Sequence, residues 1–269
     1  MSVERIDACF RELKARKQTA LVAYVMVGDP NVEESYACAR AALDAGADVL
    51  ELAVAFSDPT ADGPVISAAG YRAIHQGGSL RATLTVAEKL RAGSEAPLVL
   101  FSYYNPVLTF GAAALPTAAA RSGIDGLLLV DLPPEEGEDL RAAAARERLA
   151  MIRLVAPTTD LAREKRVLAD ASGFVYYVSV TGVTGSSQAP LADAGQRAAA
   201  LRERARLPVV VGFGIRTADQ ARTVAASGVD GVVVGTEIVR VIAAATNPEA
   251  RVRAVSELVG SLRRGLDQK

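Results

Sequence analysis

Histidine is almost missing from this 269-residue chain. His75 is the sole one, and the few lysines, Lys14, Lys17, Lys89, Lys165 and Lys269, all fall in helical or terminal segments. A metal centre built on imidazole therefore has no ligand set, and no metal is expected. No lysine stands at a strand end, where its amine could form a Schiff base with a carbonyl substrate. His75 itself lies in YRAIHQGG, an expected helix end, which points to a surface role. Ser57, Ser102 and Ser179 have no base nearby in sequence and no nucleophile-elbow pattern, which argues against acyl transfer. Cys9 and Cys38 are far apart, on expected helices and without metal-ligand spacing, so both read as reduced structural thiols. No run of about 18 apolar residues occurs. The charged start, MSVERIDACFRELKARK, lacks the apolar core of a secretory signal, so a cytoplasmic protein is expected. Acids number 31 against 30 bases, and no basic cluster is interleaved with aromatics. Neither nucleic acid nor membrane is an expected partner, and a small molecule is. Carboxylates are left as the proton movers.

What the chain does have is a repeat. Eight short, apolar, β-branched runs recur: Leu21 to Val27, Val49 to Leu52, Leu98 to Phe101, Leu127 to Val130, Met151 to Val155, Phe174 to Val180, Pro208 to Val211 and Gly231 to Val234. Between them lie Ala-, Arg- and Glu-rich stretches with helical spacing, among them Val32 to Ala45, Thr83 to Leu90, Glu135 to Arg148, Leu161 to Ala171 and Thr217 to Ala226. The turns AGADVLEL, SGIDGLLLV and SGVDGVVVG repeat a theme in which Gly ends a helix and an apolar strand begins. Eight such units predict an α/β fold, a (β/α)8 TIM barrel, rather than an open doubly wound sheet. Residues 1–269 are read as one domain. Val3 to Lys14 forms an extra N-terminal helix, Pro248 to Leu262 a closing one, and Ser57 to Ser79 an insertion after the second strand.

That insertion follows the most informative stretch, VLELAVAFSDPTADGP from Val49 to Pro64. A carboxylate inside an apolar strand costs several kcal/mol unless it is paired or neutralised. Glu51 is thus either satisfied by backbone N–H groups or an arginine, or kept for chemistry. Strand alternation turns Leu50 and Leu52 to the helices and Glu51 to the barrel mouth. Desolvation there raises its pKa, which suits a proton donor near neutral pH. Asp62, on the loop and nearer water, is expected to ionise more easily, so the two acids differ as an acid and a base must. Ordinary turn chemistry, since S-D-P and A-D-G-P are turn formers, explains Asp58 better than catalysis does and Asp62 about as well. Asp131, ending the fourth strand in LLLVDLPPEE, is either a loop anchor or a support for a catalytic group.

Three glycine-rich loops follow late strands: GVTGSS from Gly182, GFGI from Gly212 and VGTEI from Val234. Loops after strands seven and eight are the recurrent phosphate site of this fold, and Gly235 and Thr236 open a helix whose N-terminus favours an anion. GFGI is no dinucleotide fingerprint, because Thr217 stands where a third glycine would, so no nicotinamide or flavin is expected. Tyr24, Phe101, Tyr103, Tyr176 and Phe213, in strands or at their ends, could wall a flat aromatic ligand or pack the core.

In order and spacing, ELAVAFSDPTADGP, LFSYYNP, VDLPPEE, YYVSVTGVTG, GFGI and VVGTEIV resemble the tryptophan synthase alpha chain family from about Tyr24 to Val239. The resemblance implies a lyase of tryptophan biosynthesis that splits indole-3-glycerol phosphate into indole and glyceraldehyde 3-phosphate. Glu51 matches the family's acid/base and Asp62 its second acid, which accepts from the indole N–H. Gly185, Gly214, Gly235 and Thr236 align with the phosphate binders. Tyr24, Phe101, Tyr103, Leu128, Val155, Tyr176 and Phe213 align with the indole wall, and Thr184 with a loop residue that closes over the site. The loop of Asp58 is implied to meet a beta chain in an alpha2beta2 heterotetramer. That partner carries pyridoxal phosphate (PLP), and this chain carries no cofactor.

The chain departs from the family's ELGVPFSDP at Ala53 and Ala55, and Ala23 replaces a common proline. Ala55 predicts a looser lead into Asp58. These departures leave room for a free-standing, indole-releasing lyase. Two further readings share parts of the pattern: another phosphosugar isomerase on the same barrel, and a weakly catalytic subunit that activates a PLP enzyme.

Overall fold

In the computed structural model, which describes residues 2–178, 191–212 and 214–268, eight parallel strands close into a barrel in sequence order. They are β1 (Ala20–Met26), β2 (Val49–Ala53), β3 (Leu98–Ser102), β4 (Gly126–Leu129), β5 (Ala150–Val155), β6 (Val175–Val178), β7 (Val209–Gly212) and β8 (Gly231–Val234). The helices are α1 (Ser2–Arg16), α2 (Val32–Asp44), α3 (Pro64–His75), α4 (Leu80–Arg91), α5 (Tyr104–Phe110), α6 (Leu115–Arg121), α7 (Glu138–Arg146), α8 (Leu161–Ala169), α9 (Leu191–Ala205), α10 (Ala218–Ala225), α11 (Thr236–Ala244) and α12 (Pro248–Asp267). All eight expected strands are present, within a residue or two over their described parts.

Alternation along the strands splits the apolar residues into two layers. Leu21, Leu50, Leu52, Leu98, Leu100, Leu127 and Leu129 face outward onto the helices, while Val22, Val49, Val99, Leu128, Ile152 and Val210 fill the interior. The N-terminal helix has a defined task. Ile6, Phe10 and Leu13 of α1 join the interior cluster, and Phe10 packs on Phe174 with ring centroids 5.6 Å apart. The helix thereby plugs the end of the barrel where the strands begin, leaving the opposite end as the open mouth.

The repeated turns are pinned by their acids. Asp48, Asp125 and Asp230 accept the backbone N–H of Leu21, Leu98 and Val209 at 2.8, 2.9 and 2.9 Å, each one strand back in the barrel. Each also meets an arginine: Asp48 meets Arg263, Asp125 meets Arg91 and Arg5, and Asp230 meets Arg202. A carboxylate buried at a strand start is tolerated because it is paired and hydrogen-bonded.

The insertion after β2 becomes α3, which docks on the end of β1. Asp29, 3 % exposed, takes a two-pronged hydrogen bond from Arg72, both at 2.8 Å. Gly28, at φ +100°, lies so close that a Cβ there would come within 2.7 Å of the Gly78 Cα. Only glycine permits this contact. His75 ends α3, exposed and edge-on to Tyr71, as its sequence context indicates. Cys9 and Cys38 are free thiols pushed up to about 12, chiefly by burial, which makes them inert rather than nucleophilic.

Candidate active site

Glu51 sits mid-strand on β2, beside Tyr24 of β1 and Val99 of β3 in register. It is fully buried, and neither carboxyl oxygen has a hydrogen-bond partner among the described residues. No described backbone N–H group or arginine satisfies this acid. Burial alone pushes its pKa up to about 8. At neutral pH the side chain is a protonated acid with a proton to give.

Asp62 lies on the loop between β2 and α3, and its conformation is held from β3. The Tyr103 hydroxyl accepts the Ala61 N–H at 2.9 Å and hydrogen-bonds the Asp62 carboxyl. The loop also turns on itself, with the Asp62 N–H donating to Pro59 O at 3.1 Å. Burial pushes Asp62 up to about 6, with the Tyr103 bond pulling the other way. Sequence placed this acid nearer water and more readily ionised than Glu51. That order holds, but burial raises Asp62 too, in a loop whose Phe56 ring lies 5.2 Å from that of Tyr103. Asp58 is exposed and accepts from the Ser57 hydroxyl at 2.5 Å, in keeping with turn chemistry at an outward-facing tip. Asp131 accepts the Tyr104 N–H at 2.7 Å. It anchors the start of α5 and so fixes the neighbouring Tyr103.

The expected wall is assembled in part. Tyr24 and Phe101 meet edge to face with centroids 5.3 Å apart, and Tyr24, Met26, Ala53, Ala55 and Ile66 form one cluster at the mouth. Leu128 and Tyr176 belong to the interior layer. Val155 does not: it packs in the outer layer against the helices, while Leu154 faces inward. The period of two on β5 decides this, with Ala150 and Ile152 inside and Met151 outside. Leu154 is the inward-facing residue of β5 that the sequence reading missed, and the same alternation applied to β5 would have found it.

At the glycine loops, Gly214 has φ +63° with open space where a Cβ would stand, and Gly235 caps α11 without any side-chain hydrogen bond to its first turn. A Cβ on Gly235 would come within 3.3 Å of the Tyr24 Cβ. Gly212 leaves room for the Tyr176 hydroxyl, which would lie 2.3 Å from an added Cβ. Gly235 and Thr236 thus stand at an uncapped helix start beside the acid pocket, a geometry suited to an anion. Thr184, Gly185 and Phe213 lie outside the described residues.

A closed barrel with two raised carboxyls at its mouth, beside an uncapped helix start at the end of β8, is the arrangement of a barrel enzyme that moves protons on an anionic substrate. Residues 10–267 match the family model described as tryptophan synthase alpha chain, and the chain belongs to that family, whose members cleave indole-3-glycerol phosphate. Solved structures agree. Tryptophan synthase subunit alpha from Legionella pneumophila str. Paris is 33 % identical, with 98 % of this chain and 99 % of that one covered at a TM-score of 0.90. Tryptophan synthase from Mycobacterium tuberculosis is 33 % identical over 98 % and 99 %, at 0.88. A protein from Aquifex aeolicus VF5 is 36 % identical over 97 % and 98 %, at 0.87. Membership in this lyase family sets aside the phosphosugar isomerase.

Proposed function

We propose that Glu51 and Asp62 are the acid and base of the indole-3-glycerol phosphate cleavage, and that the observation carrying this is their separation in pKa, about 8 against about 6, within one mouth. Protonated Glu51 gives its proton to indole C3. Asp62, largely ionised at neutral pH, accepts from the indole N–H and stabilises the positive charge of the resulting indolenine. The bond from C3 to the first glycerol carbon then breaks, its electron pair passing into the indolenine system. The hydroxyl on that carbon becomes the aldehyde carbonyl and returns its proton to Glu51. Indole and glyceraldehyde 3-phosphate account for every atom of the substrate, and Glu51 ends protonated as it began. A retro-aldol step of this kind needs neither a Lys imine nor a metal, because protonation makes the electron sink within the substrate.

Gly214, Gly235 and Thr236 hold the phosphate in this reading, and Tyr24, Phe101, Tyr103, Leu128, Leu154 and Tyr176 line the indole and its chain. Residues 1–269 act as one domain. The exposed loop tip at Asp58 meets a beta chain in an alpha2beta2 assembly, and PLP belongs to that chain. We place the protein in the cytoplasm; no described helix is long and apolar enough to cross a membrane. The test is indole release from indole-3-glycerol phosphate by the purified chain, with and without a PLP-dependent beta chain. Weak release that rises strongly with the partner supports the coupled subunit, high release alone makes the chain a free-standing lyase, and none in either condition overturns the assignment.

A further inference from the structure

Tyr24 is buried more completely than an aromatic wall requires. It is 5 % exposed, and its hydroxyl is buried without a hydrogen-bond partner among the described residues, beside a register neighbour, Glu51, that is equally unpartnered. A buried hydroxyl left unsatisfied carries a desolvation cost, and phenylalanine would fill the same space without it. The ring is fixed at both ends. Its root rests against Gly235, at the start of α11, and its face meets the Phe101 edge-to-face contact at 5.3 Å. Burial holds the hydroxyl well above the ordinary tyrosine pKa, and the Asp62 and then the Glu51 carboxyl add to the effect. The group is therefore a neutral O–H, a donor throughout the physiological range.

Tyr24 thus has its root at the candidate phosphate end, Gly235, and its hydroxyl within electrostatic reach of the candidate acid end, Asp62 and Glu51. In indole-3-glycerol phosphate the segment spanning those ends is the three-carbon chain, which carries two hydroxyls. We propose that the Tyr24 hydroxyl donates a hydrogen bond to a hydroxyl oxygen of that chain, which makes it a specificity-determining contact for a hydroxylated linker between indole and phosphate. The proposal rests on the indole-3-glycerol phosphate reading of the site. It also gives the unpartnered donor an acceptor. The bond holds the reacting carbon between Glu51 and the phosphate, which is how binding away from the reacting bond serves orientation.

The test is Tyr24→Phe in the full chain, which removes one oxygen and no hydrogen bond among the described residues. Two ligands are compared: indole-3-glycerol phosphate, and the analogue in which an unsubstituted propyl chain joins indole to phosphate. For the natural substrate, kcat/KM is expected to fall about 3- to 10-fold, the loss of one hydrogen bond. The Kd of the analogue should stay within about twofold, and the melting temperature should not drop, because no bond among the described residues is lost. Equal weakening of both ligands would place the effect in the ring or the phosphate and overturn the proposal. So would unchanged kinetics with the natural substrate. Failure of the unsubstituted protein to cleave indole-3-glycerol phosphate, with or without a beta chain, would instead remove the functional reading beneath it.

Discussion

Tyr103 and Asp62 are joined by a hydrogen bond that ties the end of β3 to the loop after β2, and the same Tyr103 oxygen takes the Ala61 N–H at 2.9 Å. One phenol thus sets both the backbone and the carboxyl of the second acid. A hydrogen bond to the charged form favours ionisation, so Tyr103→Phe should raise the Asp62 pKa above about 6. The acid limb of the kcat/KM profile is expected to move up by roughly half to one pH unit, the worth of one hydrogen bond. An unmoved limb would detach Tyr103 from Asp62.

In the unsubstituted protein the profile of kcat/KM against pH should be bell-shaped. It rises as Asp62 ionises near 6 and falls as Glu51 loses its proton near 8. Steady-state rates from pH 5 to 9 decide this. A rate still climbing above pH 8 would mean that Glu51 does not act as the acid.

Glu51→Gln should lower the rate of indole release at least about 10²-fold while leaving affinity for the phosphate moiety intact. The same change is expected to stabilise the fold. The raised pKa means that folded Glu51 keeps its proton between about 4.5 and 8 while the unfolded chain loses it, so stability falls as pH rises through that window. Glutamine carries no such cost, and at pH 7 the gain is roughly 1–3 kcal/mol by denaturant melts. An inactive but destabilised variant would count against an unpartnered acid.

Gly212→Ala puts a methyl carbon 2.3 Å from the Tyr176 hydroxyl and 2.7 Å from its Cζ. Relief requires the ring to shift into the pocket. Affinity for indole should fall by about tenfold or more, at a stability cost of about 1–3 kcal/mol. Unchanged indole binding, measured by calorimetry, would show that Tyr176 does not border the ligand.

Asp125, at the opposite end of the barrel, offers the contrasting case. It is fully buried, pairs with Arg91 at 2.7 Å and Arg5 at 3.1 Å, and accepts the Leu98 N–H at 2.9 Å. Asp125→Ala leaves the Leu98 N–H without its acceptor and takes the buried carboxylate from Arg91 and Arg5, which keep the Gly123 and Ser94 carbonyls and Glu95, so about 2–4 kcal/mol of stability should be lost. The kcat/KM of the protein that remains folded should hold within about twofold, since the residue supports strand starts and not the mouth. A selective kinetic loss would point to coupling along the barrel.

Local pattern alone carried much of this architecture. The eight apolar runs, the recurring Gly-x-Asp turns and the inward face of Glu51 all follow from periods of 3.6 and 2 that neighbouring residues establish among themselves. The order of the two pKa values was legible for the same reason, because a strand interior is drier than a loop. Tertiary structure decided the remainder. Whether Glu51 finds a partner, how far Asp62 is desolvated, and that Asp131 reaches Tyr104 depend on segments far apart in the chain that meet only when the barrel closes. The inward turn of Leu154 in place of Val155 belongs to both, since alternation sets it and the closed barrel fixes which side is the interior. A sequence states which side chains are apolar and at what period; solvent exclusion and hydrogen-bond satisfaction are properties of the packed chain.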